Sequence, residues 1–458
     1  MTERISDAAP TGGSTALPRY SWVLFEWGRN PFVLIITIYV YATYFAREIV
    51  GDPVRGQALW ADIQAYAGLL VAVSAPFLGA MADAGGRRKP WIAFFSVLLA
   101  AATASLWFGM PMGAGLGLAG IAAVIALAHV AYDGSFVFHN AMLPALVPPS
   151  SIGRWSGAGY ALGNLAGILL LVFMLVFIYL PAQPLFGLDR AAHEHERIAG
   201  PILALWFAVF SLPFFLFVPD GPGRGLTLRT AIGNGFSSAL RTIRTLPSTP
   251  NAARFLLARM IYSDGLNVML AFGGVYAAGI FDWGEIESAL YGIALSVFAA
   301  AGGLLGGGLG DKIGVKRALL FSLGGIFIAA FLSLGFSPGR IFFVFPYPRG
   351  EEVFDLPYFR TAPELLYILC VMAAAICLVA TFANSRTMMA KLAPKERITE
   401  FFGLYALSGG VTAFAAPIAV ALATRLSGSQ QGGMAVILVF VAVGFFLLLP
   451  LREERDGE

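Results

Sequence analysis

The sequence predicts an all-α integral membrane protein with twelve transmembrane helices in two six-helix pseudo-symmetric halves. Three observations carry this. Only 12% of the 458 residues are charged and the mean hydropathy is +0.76, about half the roughly 25% charge that a water-facing surface demands. Twelve runs are apolar for about the 20 residues needed to cross a hydrocarbon core. One short charged motif occurs twice, about half a chain apart.

Residues 1–19 are polar and rich in Gly, Ser, Thr and Pro, which predicts a disordered cytoplasmic tail. The apolar runs are 20–46, 60–82, 91–110, 115–146, 155–180, 200–218, 253–280, 287–310, 316–336, 364–390, 400–425 and 431–450. The first exceeds a signal peptide's apolar region and has no clean cleavage site, so it is read as a retained span. The fourth is long enough to tilt, or to kink near Pro144. The runs group into a half over 20–219, a linker over 220–252, a half over 253–451 and a tail over 452–458. Segments 181–199 and 337–363 read as capping loops. The linker carries Arg224, Arg229, Arg241 and Arg244 and no acid after Asp220. A short amphipathic helix around Thr230–Thr245 lying on an anionic leaflet and a solvated linker are both open readings. Cys370 and Cys377 share one apolar run and read as small core residues, with no disulfide.

Lysine and arginine set the orientation. With both termini cytoplasmic, 19 fall on inner segments and 8 on outer loops, the expected positive-inside bias. The net charge of +3 gives no basis for a nucleic-acid partner. The expected partners are the lipid bilayer, a small-molecule substrate and protons, with the chain acting as a monomer.

The repeat is the most informative signal. Gly79, Asp83, Gly86, Arg88 and Lys89 follow the second run; Gly307, Asp311, Gly314, Lys316 and Arg317 follow the eighth. The spacing is the same in both: Gly, three residues, Asp, two residues, Gly, one residue, two basic residues. The first glycine permits close helix approach. The aspartate can face the positive N-terminus of a neighbouring helix, the second glycine turns the chain, and the basic pair anchors it. Such a cluster can hold a cytoplasmic gate, and two copies in two halves mark a transporter built by duplication.

This arrangement resembles the major facilitator superfamily, in which the motif lies between spans two and three and recurs between eight and nine. Ala84 stands where that family usually has a basic residue. Five further stretches resemble the branch of fungal autophagy-related vacuolar amino-acid effluxers and their bacterial relatives: Phe25–Phe32, Gly85–Trp91, His139–Pro144, Phe255–Asn267 and Phe401–Pro417. The resemblance implies a twelve-span transporter, a cavity lined by spans one, four, seven and ten, an amino-acid substrate and a bacterial inner membrane. In the first span, Arg29 replaces the neutral residue of that branch's pattern.

An ionisable residue inside a span costs about 2.5–3.5 kcal/mol on insertion scales and needs a reason. Those well inside spans fall on one, four, seven and ten. Glu26, Arg29 and Asn30 share one helix face; either the charges neutralise each other or Glu26 carries a proton beside Arg29. His129 and Asp133 sit four residues apart and could relay protons or form a structural hydrogen bond. Asn140 reads equally as a helix cross-link or a substrate contact. Asp264 lies near the seventh span's midplane, with Asn267 three residues on. Arg259 reads as a snorkelling anchor or a gate, and Arg386, near its span's inner end, as anchor or gate. Gly302, Gly306 and Gly310 form a close-packing stripe.

Other chemistry finds little support. His193, Glu194, His195 and Glu196 lack HExxH spacing and read as a solvated loop, so no metal is expected. There is no Walker motif, no GxSxG elbow and no indicated cofactor. The expected function is secondary active transport of a small polar solute by alternating access, coupled to protons, and not an enzyme activity. A drug or lipophile exporter and a non-transporting membrane scaffold or receptor remain the alternatives.

Overall fold

The computed structural model describes residues 16–452 except 182, 224–229, 231–232, 234–236, 238–240, 243, 245, 247–248, 411 and 413–414. Twelve helices are long and apolar enough to cross a membrane: Leu17–Ile49, Arg55–Gly85, Lys89–Phe108, Gly117–Leu146, Pro149–Tyr179, Glu194–Phe217, Pro250–Gly274, Leu290–Ile313, Val315–Leu334, Ala362–Leu392, Lys395–Ser427 and Gln430–Leu448. They are called spans 1 to 12 below. Their sides turned away from the protein are themselves apolar, with Phe321, Ile328, Leu369 and Val439 all exposed, as lipid requires. Cys370 and Cys377 are free thiols.

Span 1 is α-helical over Leu17–Arg29 and again over Tyr41–Tyr44. Its other stretches, Val33–Tyr39 and Phe45–Ile49, run in wide turns. Pro31 lacks an N–H and breaks the bonding ladder at this point, directly after Glu26 and Arg29. Span 11 is helical over the described stretches Ile398–Gly410 and Ala415–Ser427.

Two expectations change. The first helix begins at Leu17, with Pro18 in its first turn, so the end of the expected tail belongs to span 1. The capping loop over 337–363 contains a small antiparallel hairpin, β1 (Arg340–Ile341) and β2 (Phe345–Pro346). The linker helix around Thr230–Thr245 falls largely outside the described residues, as do 1–15 and 453–458.

The two halves meet through paired small residues. A Cβ on Gly157 would strike the Gly303 carbonyl, and one on Gly307 the Gly153 carbonyl, so spans 5 and 8 touch backbone to backbone. Spans 2 and 11 do the same: a Cβ on Gly79 would meet the Thr399 carbonyl, and one on Gly403 would meet Ala75. These approaches need glycine because any side chain would separate the helices. Gly302, Gly306 and Gly310 face Ile376, Ala380 and Asn384 of span 10, so that stripe packs the second half internally. The chain enters span 1 and leaves span 12 on one face of the molecule, and at that face the halves are bonded to each other, Asp83 and Arg88 to Glu400 and Thr399 and Asp311 to Gly153 and Arg154; it is called the closed face below.

Candidate functional site

A buried ion network joins the halves. Glu26 Oε2 accepts from Arg29 Nη2 at 2.6 Å, and Glu26 Oε1 accepts from Arg386 Nη1 at 2.7 Å. Arg386, on span 10, is fully buried. Its Nη1 also donates to Asn140 Oδ1 of span 4 (2.9 Å), its Nε to Ser156 Oγ of span 5 (2.9 Å), and its Nη2 to the Ser156 carbonyl (2.6 Å). Every nitrogen of this guanidinium therefore has a partner in the opposite half. Both arginines are sandwiched by aromatic rings. Arg29 lies 4.3 Å from the Tyr132 centroid and 4.7 Å from that of Phe136; Arg386 lies 4.2 Å from that of Tyr160. Such cation–π contacts gain strength when desolvated.

The reading of Glu26 and Arg29 as a self-neutralising pair is thus incomplete, because Arg386 shares the carboxylate. Arg386 is no interface anchor; it is the residue that ties span 10 to spans 1, 4 and 5. Asn30 accepts from the Tyr132 hydroxyl at 3.3 Å. His139, left unassigned by the sequence, stacks on Trp22 and Phe25, with Nδ1 3.7 Å from Glu26.

Other candidates lie elsewhere. No hydrogen bond joins His129 to Asp133: the His129 ring packs edge-on against Phe32 and Trp60, and its Nε2 has no partner. Asp133 is half-buried. The imidazole–carboxylate relay is therefore not assembled, because span 4 turns the ring into an aromatic pocket. Asp264 is buried beside Thr412 of span 11, while Asn267 is exposed. Arg259 does not snorkel: its Nη1 donates to the Tyr405 carbonyl (2.5 Å) and to Ser408 Oγ (2.8 Å), and it stacks on the Tyr405 ring. It clasps span 7 to span 11 within the second half. Among the described residues, no group of three His, Cys, Asp or Glu side chains is arranged to hold a metal.

The two charged motifs lie on the closed face in matching roles. Asp83 Oδ2 accepts from the backbone N–H of Glu400 (2.9 Å), in the first turn of Ile398–Gly410. Asp311 accepts from the N–H groups of Gly153 (2.9 Å) and Arg154 (2.8 Å), in the first turn of Ile152–Met174. Each aspartate thus caps a helix of the opposite half, where exposed N–H groups and the helix dipole favour a negative charge. Gly86 and Gly314 have φ of +80° and +93°, conformations that glycine adopts freely. Lys89 donates to the carbonyls of Phe215 and Val218, and Lys316 to that of Leu449, so cations sit at the C-terminal ends of spans 6 and 12. Arg317 is exposed. Arg88 bonds Asp83 (3.0 Å) and Thr399 (2.6 Å), and Arg397 bonds Glu400. Thr399, Arg397 and Glu400 carry no sequence signal, since they matter only through the opposite half.

A family profile described as "Vacuole effluxer Atg22 like" matches residues 49–154 and 150–457. The chain belongs to the Atg22-like vacuole effluxer family. It is 24% identical to the uncharacterized MFS-type transporter YxiO of Bacillus subtilis (strain 168), across 96% of this chain and 95% of that protein. It is 21% identical to autophagy-related protein 22 of Yarrowia lipolytica (strain CLIB 122 / E 150), across 66% of this chain and 51% of that one. Its fold is similar to that of the proton:xylose symporter XylE, with a TM-score of 0.65 at 11% identity, covering 96% of this chain and 95% of that chain.

This Atg22-like protein is therefore a twelve-helix major facilitator and a secondary transporter, not an enzyme. In such a transporter, contacts that close one face must break in each cycle. Asp83→Asn keeps an acceptor but removes the charge facing span 11, and is expected to cost about 1–2 kcal/mol of closed-face stability. Thermal melting in detergent, compared with the exposed Asp62→Asn, checks this; equal melting temperatures would show that the cap contributes nothing.

Proposed function

We propose that this transporter moves a small polar solute bearing both charges, of the amino-acid class, by alternating access coupled to protons. The observation that supports this is the sharing of Glu26 between Arg29 of its own helix and Arg386 of the other half. Opening the closed face requires Arg386 to leave Glu26. Neutralising Glu26 with a proton, or offering Arg386 a solute carboxylate in its place, lowers the cost of that separation, because a buried charge must keep a partner. Arg29 Nε and Asn140 Nδ2 are buried donors without hydrogen-bond partners. An unpaired buried donor is costly, so these atoms favour a polar guest. Asp133 and Asp264 are the further proton-carrying candidates. The positive-inside bias supports a cytoplasmic closed face and cytoplasmic termini, and the resemblance to bacterial relatives supports a bacterial inner membrane.

Purified protein in proteoliposomes, with an imposed pH gradient, an internal pH dye and a panel of amino acids, tests the proposal. Solute-dependent proton movement is expected. Silence with every amino acid, from protein shown to be folded, would remove the substrate class. Asp133→Asn and Asp264→Asn are each expected to lower pH-driven flux at least several-fold while leaving solute exchange intact. Unchanged pH-driven flux removes that residue from the proton path.

A further inference from the structure

The loop between spans 9 and 10 carries an exposed apolar surface. From Phe342 to Phe345 four large apolar side chains stand in a row, with Val344 77% and Phe345 63% exposed. A water-facing loop rarely presents so continuous an apolar patch. The patch is held in place. Phe343 donates its backbone N–H to the Gly335 carbonyl at 2.9 Å, Tyr347 donates its N–H to that of Gly339 at 3.0 Å, and β1 pairs with β2. Phe342 and Phe343 both have positive φ, +50° and +67°, an unfavourable conformation for bulky residues. The backbone thus bears strain to keep these side chains outside.

We propose that the β1–β2 hairpin is a membrane-interface anchor, whose apolar tip enters the lipid leaflet on the face opposite the termini. Continuity identifies the partner. Phe321, Ile328 and Phe331 form the exposed stripe of span 9, which faces lipid because the helix spans. Phe343 packs on Phe331 with ring centroids 5.4 Å apart, so the hairpin extends this lipid-facing stripe beyond the helix end. The charges fit the same partner. Arg340 and Arg349 flank the tip and are exposed, placed to reach phosphate groups while the rings enter the acyl boundary. The acids of the loop, Glu351, Glu352 and Asp355, lie on its later, non-hairpin stretch. The anchor would fix the outer end of spans 9 and 10 to the leaflet while the halves rock.

Site-directed spin labelling of the full chain in lipid nanodiscs tests this. Nitroxides are placed at Val344→Cys and, as a reference in the same loop, at Glu351→Cys, in a Cys370→Ser/Cys377→Ser background. The ratio of oxygen to nickel-chelate accessibility is expected to be several-fold higher at 344 than at 351. Equal ratios would show the hairpin standing in water, and protection of 344 from both reagents would show a protein covering it; either result overturns the anchor. Phe345→Cys repeats the reading should Val344→Cys fail to fold.

Discussion

Glu26→Gln is expected to destabilise the protein by about 3–5 kcal/mol, the usual cost of removing one partner from a buried ion pair, and to abolish coupled transport. The size follows from the geometry. Glu26 is hydrogen-bonded to two buried guanidinium groups, so its loss leaves both arginines without that charge. Arg386→Gln should cost less, because Arg29 still neutralises Glu26. The double variant Glu26→Gln/Arg386→Gln should recover part of the loss. Thermal melting reads the stability, and paired spin-label distances across the closed face read the conformation. The single Glu26 variant should populate an open closed-face distance that the double variant reduces. If Glu26→Gln melts within experimental error of the parent and keeps the parent distance distribution, the network does not join the halves.

Gly307→Val is expected to oppose closure by about 1–3 kcal/mol, a shift of roughly tenfold or more in the balance between closed and open states. A Cβ at 307 would meet the Gly153 carbonyl and the Gly157 Cα (3.0 Å). Backbone cannot step aside as a flexible side chain can, so spans 5 and 8 must separate. The reciprocal Gly153→Val should act in the same direction. Gly308→Val is the control, since a Cβ there meets nothing within 4 Å. The same distance measurements should show 307 and 153 moving the distribution toward the open form and 308 leaving it unchanged. An effect of equal size at 308 would mean that lost helix flexibility, not the helix contact, is responsible.

These two sites differ in how readily the sequence exposes them. The motif glycines and aspartates are legible because two copies at equal spacing are improbable by chance, and each residue has a local reason: close approach, helix capping, a turn at positive φ. Their partners are not legible. Thr399 and Glu400 look like any other polar residues at a span's start, and only the Asp83 bond gives them a role. In the ion network, Glu26, Arg29, Asn140 and Arg386 all stand out as costly polar residues in apolar runs. Ser156 and Tyr160 do not, since serine and tyrosine are ordinary in such helices, yet they hold and cover Arg386. The pairing of His129 with Asp133 followed from helical spacing alone, and failed because spacing fixes neighbours along a helix but not which pocket each side chain enters.

The sequence alone therefore determined what depends on runs and repetition. Twelve spans follow from apolar length, two halves from the duplicated motif, and the candidate polar residues from the cost of placing each in hydrocarbon. Tertiary structure decided which of these residues meet. Glu26 and Arg386 lie at opposite ends of the chain but 2.7 Å apart in space, because glycine-lined contacts bring spans 5 and 8 together and set span 10 against spans 4 and 5. That closeness is a property of the packed helices, in which long-range pairing is chosen by shape and by the need of every buried charge for a partner.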